Sequence, residues 1–228
     1  MQIVFDNYNF RYKELKKLWG FSIYLKEQKL LFDTGSNGRA LLKNLQTFDI
    51  DIKEIKYLFI SHSHWDHIGG LDSVLELNPD ITIFVPRALS KHLIDDLKSL
   101  TKEVIVINRA QKLFDNIYTT GMLGADTPEQ SLIIDSEQPT VIAGCAHFGI
   151  ENIVKKASDY LGKDIDSCIG GFHLIKATPQ EIQDVISSLK SSGVTQVCPT
   201  HCSGDKAIEI FKQSFQDGYI EGGLGARL

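Results

Sequence analysis

A chain of 228 residues, 43% hydrophobic and 23% charged, is long enough to bury one good core, and predicts a single α/β domain over residues 1–228. A formal net charge of -5 speaks against nonspecific nucleic-acid binding, which needs a basic surface to displace counterions, and no apolar run reaches membrane-spanning length. The start, Met1-Gln2-Ile3-Val4-Phe5-Asp6-Asn7, lacks a basic stretch followed by a long apolar one, so a cytoplasmic protein with no membrane partner is expected.

Gln2 to Phe5 reads as a first strand, and Trp19 to Leu25 with Lys29 to Phe32 as a hairpin turning at Lys26-Glu27-Gln28. The charged run Arg11 to Lys17 between them reads as a solvated face. Leu31-Phe32-Asp33-Thr34-Gly35 puts a carboxylate at a strand end before a helix around Arg39 to Leu45. Asp33 is therefore either a cap for the following turn or an acceptor that orients a metal-bound imidazole through its second ring nitrogen. Asp51-Ile-Lys-Glu54 has the spacing of a capping box and leads into strand Tyr57 to Ile60.

Directly after that strand stands Ser61-His62-Ser63-His64-Trp65-Asp66-His67. Three imidazoles and a carboxylate this close together offer borderline N and O donors, and neither packing nor solubility gives a reason to collect them on one turn. Gly69-Gly70 closes the loop and starts a helix through Leu77. Strand Ile81 to Val85, a helix from about Ser90 to Leu100 and strand Glu103 to Ile107 follow. His92, on that helix, is expected at the surface. Trp65 either packs against substrate or wedges the loop.

The stretch Lys112 to Thr140 reads as short strands, Ile117 to Thr119 and Gln130 to Ile134, before Val141 to Ala143. Then a pattern recurs of strand, histidine, helix: Gly144-Cys145-Ala146-His147 before a helix from Ile150 to Leu161, and Cys168 to His173 before a helix opened by Thr178-Pro179-Gln180-Glu181. Val197 to His201 precedes a last helix ending near Phe215. In α/β folds sites gather at the carboxyl ends of strands, so these histidines are expected to serve one pocket. A first metal ion is then held by His62, His64 and His147 and a second by Asp66, His67 and His201. Such ions, about 3.5–4 Å apart, share a water and lower its pKa towards about 7. Asp66 doubles as acceptor of that water's proton. The four cysteines form no Cys-x-x-Cys pair and read as free thiols; Cys145 and Cys202 are either additional ligands or small residues packed around the site.

The His62-x-His64-x-Asp66-His67 run with its trailing Gly69-Gly70, the Asp33-Thr34-Gly35 before it and the later single histidines resemble the metallo-β-lactamase superfamily over essentially the whole chain. The resemblance implies an α/β fold, a four-layer αββα sandwich of two mixed sheets flanked by helices, with two divalent ions at one edge: often zinc, sometimes iron or manganese. Ser61 to Gly70, Gly144 to Ile150, Gly170 to Leu174 and Pro199 to Gly204 are similar to the branch that includes the dihydropterin ribofuranosylaminobenzene phosphate synthases. Two departures stand out. Where most superfamily hydrolases carry a bridging aspartate, this chain has Gly170-Gly-Phe-His173, so His173 is either a ligand or a pocket residue that contacts substrate. Where the branch often shows Glu-His, this chain has Leu18-Trp19. The expected activity is a binuclear metal-dependent hydrolase that aims a metal-bridging hydroxide at a small, anionic ester, lactone or phosphodiester. The rivals are a dihydropterin-dependent transferase, a flavin-partnered di-iron redox protein and a non-catalytic, metal-stabilised binding protein.

Overall fold

The computed structural model describes residues 1–228 and divides into two compact units, Met1–Asn108 with Gly223–Leu228, and Arg109–Gly222. Each unit has its own six-stranded mixed sheet and its own core; the first carries His62, His64, Asp66 and His67, and the second His147, His173 and His201.

In the first unit the sheet runs β1 (Gln2–Asp6), β2 (Phe21–Leu25), β3 (Leu30–Phe32), β4 (Tyr57–Phe59), β5 (Thr82–Pro86) and β6 (Glu103–Ile107), in that spatial order. β1, β2 and β3 pair antiparallel, and β3 to β6 pair parallel. The parallel half needs crossovers, supplied by α1 (Gly38–Thr47), the short α2 (Trp65–Ile68) with α3 (Leu71–Leu77), and α4 (Lys91–Leu100). Strand alternation sends Leu31, Leu58, Ile83 and Val85 into a core with Leu41 and Leu45 of α1 and Val74 of α3. Phe32 and Phe59 point the other way and stack on each other with centroids 5.2 Å apart. Each such fully buried side chain contributes about 1.5–3 kcal/mol relative to an exposed one. The chain's last residues return to the edge of β1, where Ile3 N donates to Ala226 O and Gly225 N to Ile3 O.

In the second unit the order is β12 (Gln196–Thr200), β11 (Ser167–Gly171), β10 (Thr140–Ala143), β9 (Leu132–Ile134), β8 (Ile117–Gly121) and β7 (Arg109–Phe114). Here β10, β11 and β12 are parallel and the rest antiparallel. The helices α5 (Ile150–Leu161), α6 (Pro179–Ser191) and α7 (Asp205–Phe215) bury Ile153, Val154, Ile182, Ile186 and Phe211 with Val141 and Val197 of the sheet. Thr178 and Glu181 form a reciprocal capping box at the start of α6.

Three local features differ from the sequence reading. β7 was not expected: Arg109-Ala-Gln-Lys-Leu-Phe114 is polar at its start because it is an edge strand, paired only with β8. Trp19 lies outside β2 and is 40% exposed. At Ile52–Glu54 there is a single helical turn in which Asp51 accepts from Lys53 N at 2.9 Å, an Asx turn where a reciprocal box was expected. No helix is long and apolar enough to cross a membrane.

Candidate metal centre

In the first unit the site is organised by Asp33, at the carboxyl end of β3 and fully buried. Its backbone sits at φ +53, a left-handed conformation that aspartate tolerates better than most residues. From there Oδ1 accepts from Ser61 N at 2.7 Å, while Oδ2 accepts from Ser61 Oγ at 2.6 Å and from His67 Nδ1 at 2.7 Å. A carboxylate only accepts, so His67 carries its proton on Nδ1 and its lone pair on Nε2. That Nε2 stands 3.7 Å from Asp66 Oδ2.

The same logic passes through Ser61. Its hydroxyl donates to Asp33, so the 2.8 Å contact with His62 Nδ1 is an N–H donation from the ring to the serine oxygen. His62 then turns a lone pair at Nε2 towards His64 Nδ1, 3.0 Å away. One buried carboxylate thus sets the tautomer of two imidazoles, one directly and one by relay. Asp33 does not cap the following turn; both oxygens are engaged in this network. Thr34 completes the cradle: its N and Oγ1 both donate to the His67 carbonyl, at 2.7 and 3.0 Å, and Gly70 N donates to Oγ1 at 3.2 Å. Gly69 has no room for a side chain, since a Cβ would lie 2.6 Å from the Ser36 and Trp65 carbonyl oxygens. His62, Asp66 and His67 are buried, whereas His64 and Trp65 are exposed. His92 is far out on α4, 93% exposed beside Asp96.

In the second unit β10, β11 and β12 deliver His147, His173 and His201 just beyond their carboxyl ends. Ala146, His173 and His201 all have left-handed backbones, with φ of 54, 52 and 50. Such conformations cost of order 1–3 kcal/mol each and concentrate where function demands a particular side-chain aim. The His147 and His173 rings lie 4.3 Å apart between centroids. His173 also hydrogen-bonds Cys202, whose Sγ is 3.6 Å from the Cys145 carbonyl oxygen. Burial pushes the Cys202 thiol up, but hydrogen bonds with Cys145 and His173 and the charge of His201 outweigh it and hold the thiol well below its usual range. The partner responds in the matching sense, and the Cys202 bond raises His173.

Glu129 was missed by the sequence reading. It is held by a β-bridge to Leu123, and its Oε1 accepts from Phe148 N at 3.0 Å. Burial pushes its carboxyl up to about 7, against the pull of that backbone donor. Ser61 carried a weak signal, preceding the histidine run directly. Glu129 carried none, lying in an irregular stretch far in sequence from any ligand.

The donor chemistry suits divalent ions: imidazoles with assigned lone pairs and one carboxylate in the first unit, imidazoles and thiols in the second. The sequence profile described as the metallo-beta-lactamase superfamily matches residues 21–157, a span that includes Asp33, the whole His62 to His67 run and His147. The chain belongs to the metallo-beta-lactamase superfamily. Members of this superfamily usually bind metal ions, and membership supports an enzyme. Among curated relatives, the 7,8-dihydropterin-6-methyl-4-(beta-D-ribofuranosyl)-aminobenzene-5'-phosphate synthase of Methanocaldococcus jannaschii is 27% identical, with 85% of this chain and 81% of the synthase covered. Among solved structures, a metal-dependent hydrolase of the beta-lactamase superfamily superposes with a TM-score of 0.82 at 25% identity, over 99% of this chain and 96% of that one. The metallo-beta-lactamase fold protein YhfI of Bacillus subtilis shares the fold at a TM-score of 0.67 and 16% identity, over 99% and 97%. Two mixed sheets with flanking helices are the superfamily fold, as the motifs implied.

Proposed function

We propose that the protein is a binuclear metal-dependent hydrolase of a small, anionic ester, lactone or phosphodiester. His62, His64 and His147 would hold one ion, and Asp66, His67 and His201 the second, with His173 as a further ligand or substrate contact. Zinc suits these donors best, with iron and manganese as alternatives. When bound, two such ions supply Lewis acidity and lower the pKa of a water held between them.

The protein's own residues do the rest. Asp33 and Ser61 keep the Nε2 lone pairs of His62 and His67 directed away from the buried carboxylate. Asp66 accepts a proton from the attacking water and holds it in line. Trp65, 63% exposed between His64 and Asp66, offers an apolar surface for the substrate's uncharged part. The observation that carries this reading is the Asp33 network, because a carboxylate that fixes the tautomers of two neighbouring histidines is the usual support of a metal site. The kinship with a metal-dependent hydrolase supports the reaction class.

A second reading has its own support. The methanogen relative is a synthase and is matched over most of both chains, which favours a transferase joining a dihydropterin to an anionic sugar-linked amine. Elemental analysis with parallel assays tests both. The hydrolase reading expects about two ions per chain, fewer in His64→Ala and His201→Ala, and hydrolysis of an ester or phosphodiester panel that falls with them. Pyrophosphate release from a dihydropterin diphosphate only in the presence of the amine would favour the synthase, and no ion after reloading would sink both.

We further infer that residues 1–228 work as a single domain in the cytoplasm. The first unit closes on Gly223–Leu228, so it is incomplete until the second has been synthesised. Four buried cysteines, none of them in a disulfide, suit a reducing compartment.

A further inference from the structure

Cys145, His173 and Cys202 lie together in the second unit, with one sulfur or nitrogen donor from each within 4.8 Å of the others. Cys145 follows β10, His173 follows β11 and Cys202 follows β12, so three neighbouring parallel strands each contribute one donor. The approach is close by construction: a Cβ on Gly171 would stand 2.6 Å from Cys202 Sγ and 2.4 Å from Gly144 O. Glycine at 171 is what lets β11 pass so near the sulfur.

A buried carboxylate stands near the cluster, outside the group of donors within 4.8 Å of one another. Glu129 is 1% exposed, and its charge interacts with Cys202 and His173. One oxygen takes the Phe148 amide, but Oε2 has no hydrogen-bond partner. A buried carboxylate oxygen left unsatisfied is costly, and its usual explanation is an ion or a water that completes it. Both thiols are buried while His173 is exposed, so the cluster has an inner sulfur face and an open entrance.

We propose that Cys145, His173 and Cys202 bind one borderline divalent cation such as zinc or iron(II), with the fourth position left to a water or ligand on the exposed His173 side. Two sulfurs and one nitrogen are donors these ions favour, and three protein donors leave one position of a tetrahedral site open. On binding, the cation displaces the Cys145 thiol proton and the proton that Cys202 shares with His173 in their hydrogen bond; both leave to solvent, and no electron is transferred. The site uses none of the six residues proposed for the two ions, but the Cys145 donor also lies within 4.8 Å of ring nitrogens of His147 and of His201, so the test must tell a cation on the thiol pair from one on the histidines. It assigns His173 to the thiols.

Cobalt(II) titration of the full-length reduced protein tests it, because a thiolate bound to cobalt adds a near-ultraviolet charge-transfer band that imidazole and carboxylate ligands do not produce. The expected result is such a band at saturation, cut to about half in Cys145→Ser and in Cys202→Ser and lost in the double variant. It should be unchanged in Cys168→Ser, whose thiol is fully buried within β11. His64→Ala should keep the band while binding less cobalt in total, so a failure of the histidine site and a failure of this one read differently. No band despite bound cobalt would overturn the proposal. So would a band that survives Cys202→Ser intact, which leaves a single thiolate, or one abolished by His64→Ala, which would give the sulfurs to the histidine-bound ion. Circular dichroism of each variant guards against misfolding, and Glu129→Gln, which keeps both thiols and His173, should leave the band in place.

Discussion

Asp33→Asn is the sharpest probe of the first unit. The substitution is nearly isosteric, but an amide nitrogen at the Oδ2 position donates where the carboxylate accepted, so it opposes both the Ser61 hydroxyl and the His67 Nδ1 proton. The bond from Ser61 N to Oδ1 survives. His67 is then driven to the other tautomer, with its proton on Nε2, and loses the lone pair it would give a metal. Loss of an orienting acceptor typically weakens metal affinity 10- to 100-fold, or about 1.4–2.7 kcal/mol. The metal-free protein should also lose stability, since two charge-assisted hydrogen bonds go, together about 3 kcal/mol at the low end of their range. A competition titration against a chromophoric chelator measures the first effect, and urea unfolding in chelator the second. Ser61→Ala should show a smaller version, because it cuts only the relay to His62. If Asp33→Asn loses stability yet binds metal with wild-type affinity, Asp33 merely ties β3 to the following loop and the tautomer argument is wrong.

Three further outcomes follow from the same geometry. Gly69→Ala forces a methyl to within 2.6 Å of two carbonyl oxygens, so it should cost roughly 1–3 kcal/mol in urea unfolding and displace the loop that carries Asp66. Thr178→Ala should cost about 1 kcal/mol through loss of the α6 cap. Its partner Glu181 is held below the usual carboxylate range by backbone and side-chain bonds from Thr178, so its contribution is complete above the unfolded-state pKa and disappears as pH falls through the lowered folded value; the thermal stability gap between wild type and Glu181→Ala should close in acid. Glu129 has the opposite sign. Its pKa rises from 4.5 to about 7 on folding, so the folded state binds more protons in that window and metal-free stability should fall as pH rises across it; Glu129→Gln should flatten that slope. A slope unchanged by the substitution would show that the carboxyl is solvated.

Much of this protein was legible in order along the chain. The histidines mark themselves by clustering and by standing after apolar runs, because a metal needs several imidazoles and parallel strands end where sites form. The helices α5, α6 and α7 after the three later histidines and the Thr178 cap are local patterns and were read as such. What local pattern does not hold is the partner brought in from a distance. Asp33 had two readings until its carboxylate was found on Ser61 and His67, 28 and 34 residues away. β7 escaped because an edge strand needs no apolar alternation. Glu129 escaped because burial, which gives it its chemistry, comes from tertiary packing alone. The left-handed turns at Ala146, His173 and His201 are likewise set by where three neighbouring strands end, since none of these residue types demands that conformation. Residue type and spacing fixed which groups were available for chemistry; the sheets decided which of them meet and in what protonation state.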